Sequence, residues 1–121
     1  MDPATAPQPL CRLADIPDGG ATAIEVKLSD SDAETSSLIL LRRGGLVQAY
    51  RNVCPHAGRR LDYAPGQFLL KQRTLICAVH GASFNQDDGL CIAGPCRGQH
   101  LAPVAVRIDA DAVYLGSAQL D

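Results

Sequence analysis

No stretch of this chain long enough for a multi-turn helix escapes a glycine or proline while keeping a 3.6-residue apolar stripe. The 11 glycines and 8 prolines are spread over the whole sequence, and turn signals recur about every ten residues. That rhythm favours many short strands. Asp18-Gly19-Gly20 reads as a turn leading into residues 21–28, where Ile24, Val26 and Leu28 share one face. Residues 29–36 read as an acidic, solvated loop. Residues 37–42 and 46–51 flank Arg43-Gly44-Gly45, a hairpin signature because glycine supplies positive φ at no steric cost. Residues 74–77 form a short strand. A last pair, 103–108 and 113–115, is joined through Asp109-Ala110-Asp111-Ala112, with Val104, Val106 and Ile108 alternating inward. The predicted architecture is an antiparallel all-β sandwich with one long loop-rich region from about 52 to 102.

A chain of 121 residues fits one domain with a single modest core. Its 46% apolar and 20% charged residues are ordinary for a globular protein. The formal net charge is −2 and no basic run could track a phosphate backbone, which argues against nucleic acid as a partner. The longest apolar stretch near the middle, residues 38–41, is far too short to span a bilayer. The N-terminal Met1-Asp2-Pro3-Ala4-Thr5-Ala6-Pro7-Gln8-Pro9 lacks the positive flank and apolar region of a secretory signal. Its three prolines make residues 1–9 an expected flexible tail ahead of one domain over 10–121. The expected location is the cytoplasm, without membrane attachment.

Five cysteines (Cys11, Cys54, Cys77, Cys91 and Cys96) occur with three histidines. In a cytoplasmic chain, cysteines closely spaced with histidines point to metal before disulfides. Two pairs stand out, Cys54-Pro55-His56 and Cys77-Ala78-Val79-His80-Gly81, with twenty residues between His56 and Cys77. Each offers one thiolate and one imidazole on a tight turn. Each also follows a strand-like segment, so one sheet can hold the two loops side by side. Such a set admits a tetrahedral structural zinc. It also admits a [2Fe–2S] cluster with both cysteines on one iron and both histidines on the other. Zinc sites usually pair cysteine with cysteine in their first short motif. Here each motif mixes the two ligand types, which suits a diiron cluster.

The flanking residues narrow the choice. Asn52-Val53-Cys54-Pro55-His56-Ala57-Gly58 and Cys77-Ala78-Val79-His80-Gly81-Ala82-Ser83-Phe84 resemble the two cluster-binding loops of Rieske proteins. Asp88-Gly89-Leu90-Cys91-Ile92-Ala93-Gly94-Pro95 resembles the proline-containing third loop of that family. The likeness runs from about Cys11 to Leu115. It implies two packed antiparallel sheets with a small cluster-binding subdomain, and one Rieske-type [2Fe–2S] cluster as cofactor. By the same resemblance Cys54 and Cys77 hold the inner iron, and His56 and His80 hold the outer iron near solvent. The interval between the pairs is a few residues longer than the family pattern. The surplus is expected in residues 63–72, away from the iron.

Members from cytochrome complexes carry a membrane anchor and an extra cysteine after each ligand motif. The matching positions here are Ala57-Gly58-Arg59 and Val79, so that inter-loop disulfide cannot form. An oxygenase needs two further histidines and a carboxylate for a mononuclear iron, and only His100 remains. The expectation is a Rieske-type ferredoxin, a one-electron carrier and not itself an enzyme, passing electrons from a reductase to an oxygenase or similar redox enzyme. The alternative is the small Rieske-like subunit of an NAD(P)H-dependent nitrite reductase; members of that group often lack some cluster ligands, whereas all four stand here. A scaffold module that merely keeps the fold is disfavoured by the same intact set. In high-potential relatives a Ser follows the His-Gly of the second loop and a Tyr comes two residues later. Here Ala82 and Phe84 cannot donate hydrogen bonds from their side chains, and Ser83 is expected to point the other way. A low reduction potential follows from that resemblance.

Other residues carry two readings. Cys91 and Cys96, on either side of Gly94-Pro95, are a redox-sensitive pair or a disulfide over the cluster, or else two small buried side chains. Cys11 reads as a core residue and His100 as a surface one. Arg59, Arg60 and Arg97 form a positive rim for an acidic partner, or a solvated face. Pro55 and Pro95 stiffen their loops, while Gly58, Gly81 and Gly94 supply positive φ or close backbone approach.

Overall fold

The computed structural model describes residues 9–27, 35–53, 61, 67–71, 73–77 and 81–116. The expected N-terminal tail therefore falls outside the described residues except for Pro9. Eleven strands are described: β1 (Cys11–Arg12), β2 (Ala21–Val26), β3 (Ser36–Arg43), β4 (Leu46–Arg51), β5 (Leu69–Lys71), β6 (Thr74–Ile76), β7 (Ser83–Asn85), β8 (Cys91–Ala93), β9 (Pro103–Val104), β10 (Val106–Asp109) and β11 (Ala112–Leu115). A 3₁₀ turn at Leu13–Asp15 is the one helical piece among the described residues. None of their helices is long and apolar enough to cross a membrane. The strands pair antiparallel in three sheets, ordered β1-β11-β10, β2-β3-β4-β9 and β5-β6-β7-β8. The chain is all-β, as its turn rhythm predicts.

Leu38, Ile39, Leu40 and Leu41 on β3 are all buried, and the layering explains why this strand does not alternate. Ile39 and Leu41 belong to a core shared with Tyr50, Leu75, Phe84 and Leu101. Leu40 belongs to a second core with Ile16, Val47, Ala49 and Val113. The β2-β3-β4-β9 sheet is the wall between two cores, with a different small sheet packed on each face. A strand covered on both faces reads as a continuous apolar run. Each buried Leu or Ile contributes about 1.5–3 kcal/mol relative to its exposed state.

The β3–β4 hairpin turns through Gly44-Gly45, with Gly44 at φ 62° and Arg43 opposite Leu46. Gly19 lies at φ 78° in the expected turn, where the Gly20 amide donates to the Pro17 carbonyl at 2.8 Å. Residues 103–108 differ from expectation, because they are two strands and not one. β9 pairs with β4, whereas β10 pairs with β11, so the chain changes sheets at Ala105. Val104, Val106 and Ile108 still pack against the same core, which is why their alternation looked like one strand. Pro103, lacking an N–H, stands in the edge strand β9, where a missing donor is tolerated.

The expected loop-rich region contains a four-stranded sheet, β5 to β8. Each of these strands is three residues long, too short for periodicity to register. Residues 69–71 of the expected surplus form β5, which pairs with β6. Residues 63–66 and 72 of that surplus lie outside the described set.

Candidate metal centre

The second cysteine–histidine loop grows from the β6–β7 hairpin. Ile76 pairs with Ser83, and beyond that pair the Cys77 amide donates to the Ala82 carbonyl at 2.7 Å. The Gly81 amide donates back to the Cys77 carbonyl at 2.9 Å. Residues 77 and 82 therefore form a closed neck. Gly81 has φ 72° and open space around a would-be Cβ, so its backbone angle, not crowding, favours glycine there. Cys77 is buried beside Leu61, Leu75, Ala82, Phe84, Cys91 and Cys96 in one apolar cluster. Ala82 and Phe84 are buried and Ser83 is half-buried, the alternation expected of an extended segment.

The first loop is anchored by a residue to which sequence reasoning gave no role. Asn52, buried at the end of β4, accepts the Leu61 amide on Oδ1 at 2.8 Å and donates from Nδ2 to the Ser37 hydroxyl at 3.2 Å. Its own amide donates to the Ser37 carbonyl at 2.9 Å. One carboxamide thus ties together the two ends of the segment that carries Cys54 and His56. A polar residue two positions ahead of the Cys-Pro-His motif was the available signal.

The third loop lies on the second. Gly94 has φ 100°, and a Cβ there would stand 2.7 Å from the Ala82 Cα. Only glycine lets the two backbones meet so closely. The neck of this loop is closed by the Cys91 amide donating to Gln99 at 2.8 Å and the Gly98 amide donating to Cys91 at 3.0 Å. Pro95 and Arg97 are exposed, whereas Cys91 and Cys96 are buried with their sulfurs 3.0 Å apart. Tyr50 connects the wall sheet to this region, its hydroxyl donating to the Gln86 carbonyl at 2.7 Å. Burial, then the charges of Asp88 and Asp87, push its ionisation up from 10.0 to about 12.

Of the four expected ligands, Cys77 is described; Cys54, His56 and His80 lie outside the described residues, as do Pro55, Gly58, Arg59 and Arg60. Among the described residues no three His, Cys, Asp or Glu side chains converge as a metal site, so His100, exposed as expected, belongs to no competing cluster there. Cys11 is half-buried on β1, packed against the second core. Two thiolates and two imidazoles are the donor set of a Rieske centre. The buried Cys77 on its closed neck, with a glycine-paved loop packed against Ala82, fits that group.

Three antiparallel sheets with two Cys/His motifs, the second on a β-hairpin, define a Rieske-like iron–sulfur fold. The Rieske [2Fe-2S] domain family matches residues 6–109, and the chain belongs to that family. Its cofactor is a Rieske-type [2Fe–2S] cluster. The fold is similar to the ferredoxin of carbazole 1,9a-dioxygenase from Nocardioides aromaticivorans IC177, with a TM-score of 0.70 and 24% identity over 93% of this chain and 98% of that one. It is similar to the Sphingomonas yanoikuyae B1 ferredoxin, with a TM-score of 0.70 and 22% identity over 93% of this chain and 99% of that one. It also resembles the terminal oxygenase of carbazole 1,9a-dioxygenase from Novosphingobium sp. KA1, with a TM-score of 0.72 and 20% identity over 89% of this chain but 28% of that one. No curated protein matches the chain in sequence.

Proposed function

We propose that the chain is a Rieske-type ferredoxin, with Cys54 and Cys77 on one iron and His56 and His80 on the other. When bound, the cluster supplies a one-electron redox centre. The observation that carries the reading is the intact pair of Cys-x-His and Cys-x-x-His-Gly motifs in a chain that spans 98–99% of two ferredoxins but 28% of an oxygenase. The burial of Cys77 keeps water from its sulfur, and the Gly94–Ala82 contact holds the third loop against the second. The donor is a reductase and the acceptor an oxygenase or similar redox enzyme; Arg97, exposed on the third loop, offers positive charge to an acidic partner.

Visible absorption and electron paramagnetic resonance of the anaerobically reduced protein test the ligand set. Wild type and Cys11→Ser are expected to show the Rieske signals, and Ala at position 54, 56, 77 or 80 to lose them. Stoichiometric zinc without iron–sulfur bands would overturn the assignment. For the partners, the protein is expected to carry electrons from a ferredoxin reductase to a Rieske oxygenase. Stable assembly with an NAD(P)H-dependent nitrite reductase, without such shuttling, would replace the carrier reading with the subunit one.

A further inference from the structure

Cys91 and Cys96 sit in the third loop as a matched pair. Both side chains are buried, with 1% exposure each. The Cys96 thiol donates to the Cys91 sulfur at 3.0 Å, and the Cys91 thiol donates to the Ala93 carbonyl at 3.2 Å. No disulfide joins them. Closing the gap to the ~2.05 Å of a disulfide requires a movement of about 1 Å. The loop can supply it. Gly94, Pro95, Arg97 and Gly98 are exposed, and Gly94 and Gly98 both hold positive φ. Cys91 itself is fixed on both backbone sides, through Gln99 and Gly98. Cys96, whose carbonyl accepts the Gln99 amide at 2.9 Å, is carried on the exposed turn between Gly94 and Gly98.

We propose that Cys91 and Cys96 are an oxidation site: a buried dithiol that closes to an intraloop disulfide with a small two-electron oxidant of the peroxide class. Burial excludes a protein disulfide as oxidant, and a small peroxide reaches the pair through movement of the exposed backbone from Gly94 to Gly98. In the first step a sulfur–oxygen bond forms on one cysteine and the peroxide O–O bond breaks. The departing oxygen takes up the thiol proton and leaves as water. The second sulfur then displaces the hydroxyl from the sulfenic sulfur. The S–S bond forms, the S–O bond breaks, and the hydroxyl leaves as water with the second thiol's proton. Two electrons pass from the two sulfurs to the peroxide. Gly94 rests on Ala82, so the disulfide stiffens the loop that covers the neck of the second cysteine–histidine loop.

The pair is distinct from the proposed ligands, and its test reads thiols and not electron transfer. Iron-loaded protein is titrated with hydrogen peroxide while visible absorption is followed. Samples are unfolded in denaturant containing N-ethylmaleimide, digested and analysed by fragment mass spectrometry. The peptide carrying Cys77, Cys91 and Cys96 is expected to lose two hydrogens, with Cys91 and Cys96 linked and Cys77 labelled, before the cluster absorption falls. Cys91→Ser and Cys96→Ser should each abolish the linked species while keeping their iron. Both thiols fully labelled up to the dose that bleaches the cluster would overturn the proposal. So would linkage of either to Cys77, or loss of iron on substituting either cysteine.

Discussion

The side-chain oxygen of Asn52 accepts the backbone amide of Leu61 at 2.8 Å, nine residues along the chain. Both residues are buried, so no water can substitute for the bond. Asn52→Ala leaves the Leu61 amide unsatisfied, and a buried unpaired donor costs about 1–3 kcal/mol. The denaturation midpoint should fall accordingly, and iron should be lost faster to a chelator than from wild type. A variant with an unchanged midpoint and iron retention would mean that this bond is not holding the first loop.

Gly94 and Gly98 separate crowding from backbone strain. Both have positive φ, at 100° and 91°, but only Gly94 abuts Ala82; nothing lies within 4 Å of a Cβ at Gly98. Gly98→Ala is expected to cost about 1–2 kcal/mol for the left-handed backbone alone. Gly94→Ala should cost more and should also weaken iron retention. Equal losses in urea unfolding would show that the loop shifts away from Ala82 freely.

Tyr50 makes stability depend on alkaline pH. Its folded ionisation lies at about 12, above the ordinary 10.0, so the folded chain holds this proton more tightly than the unfolded one. The contribution is complete below about pH 10 and is lost as pH rises toward about 12. Tyr50→Phe removes both the bond to the Gln86 carbonyl and this pH dependence. Unfolding measured across that interval should show wild type losing its advantage over the variant. A gap constant with pH would contradict the buried phenol.

The β10–β11 turn is built without glycine. Ala110 and Asp111 hold φ of 51° and 67°, the double left-handed geometry of a two-residue I′ hairpin. Such angles cost about 1–2 kcal/mol for most residues. Ala110→Asn with Asp111→Gly supplies the sequence this turn prefers, and should stabilise by about 1 kcal/mol. The readout is a rise in Tm, with no change in iron content. An unchanged Tm would indicate that the strain is already offset.

Ala82 and Phe84 bear on the reduction potential. Both are buried, and neither side chain can donate a hydrogen bond. Donors near a cluster stabilise its reduced charge and raise the potential. The midpoint is expected near the lower end of the Rieske span of about −150 to +300 mV. Ala82→Ser with Phe84→Tyr should raise it. Voltammetry giving a value above about +100 mV for wild type, in the upper half of that span, would contradict the carrier assignment.

The class of fold and the candidate donors were legible in the chain alone. Glycine and proline at close intervals exclude long helices for reasons internal to the backbone, and Gly44-Gly45 marks its hairpin because positive φ is a local demand. Cys54, His56, Cys77 and His80 stand out as the proposed ligands because two short cysteine–histidine motifs are a local pattern too. The tertiary structure decided what depends on neighbours distant in the chain. Residues 38–41 read as one undivided apolar run until the two cores take Ile39 and Leu41 on one face of a wall and Leu40 on the other. Val104 and Val106 belong to different sheets, although their alternation is continuous, because the same core lies beneath both strands. Asn52 acquires its role only when Leu61 and Ser37 are brought to its carboxamide. The 3.0 Å approach of Cys91 and Cys96 likewise arises from folding the exposed Gly94–Gly98 backbone over a closed neck, since spacing alone leaves two cysteines five residues apart free to point anywhere.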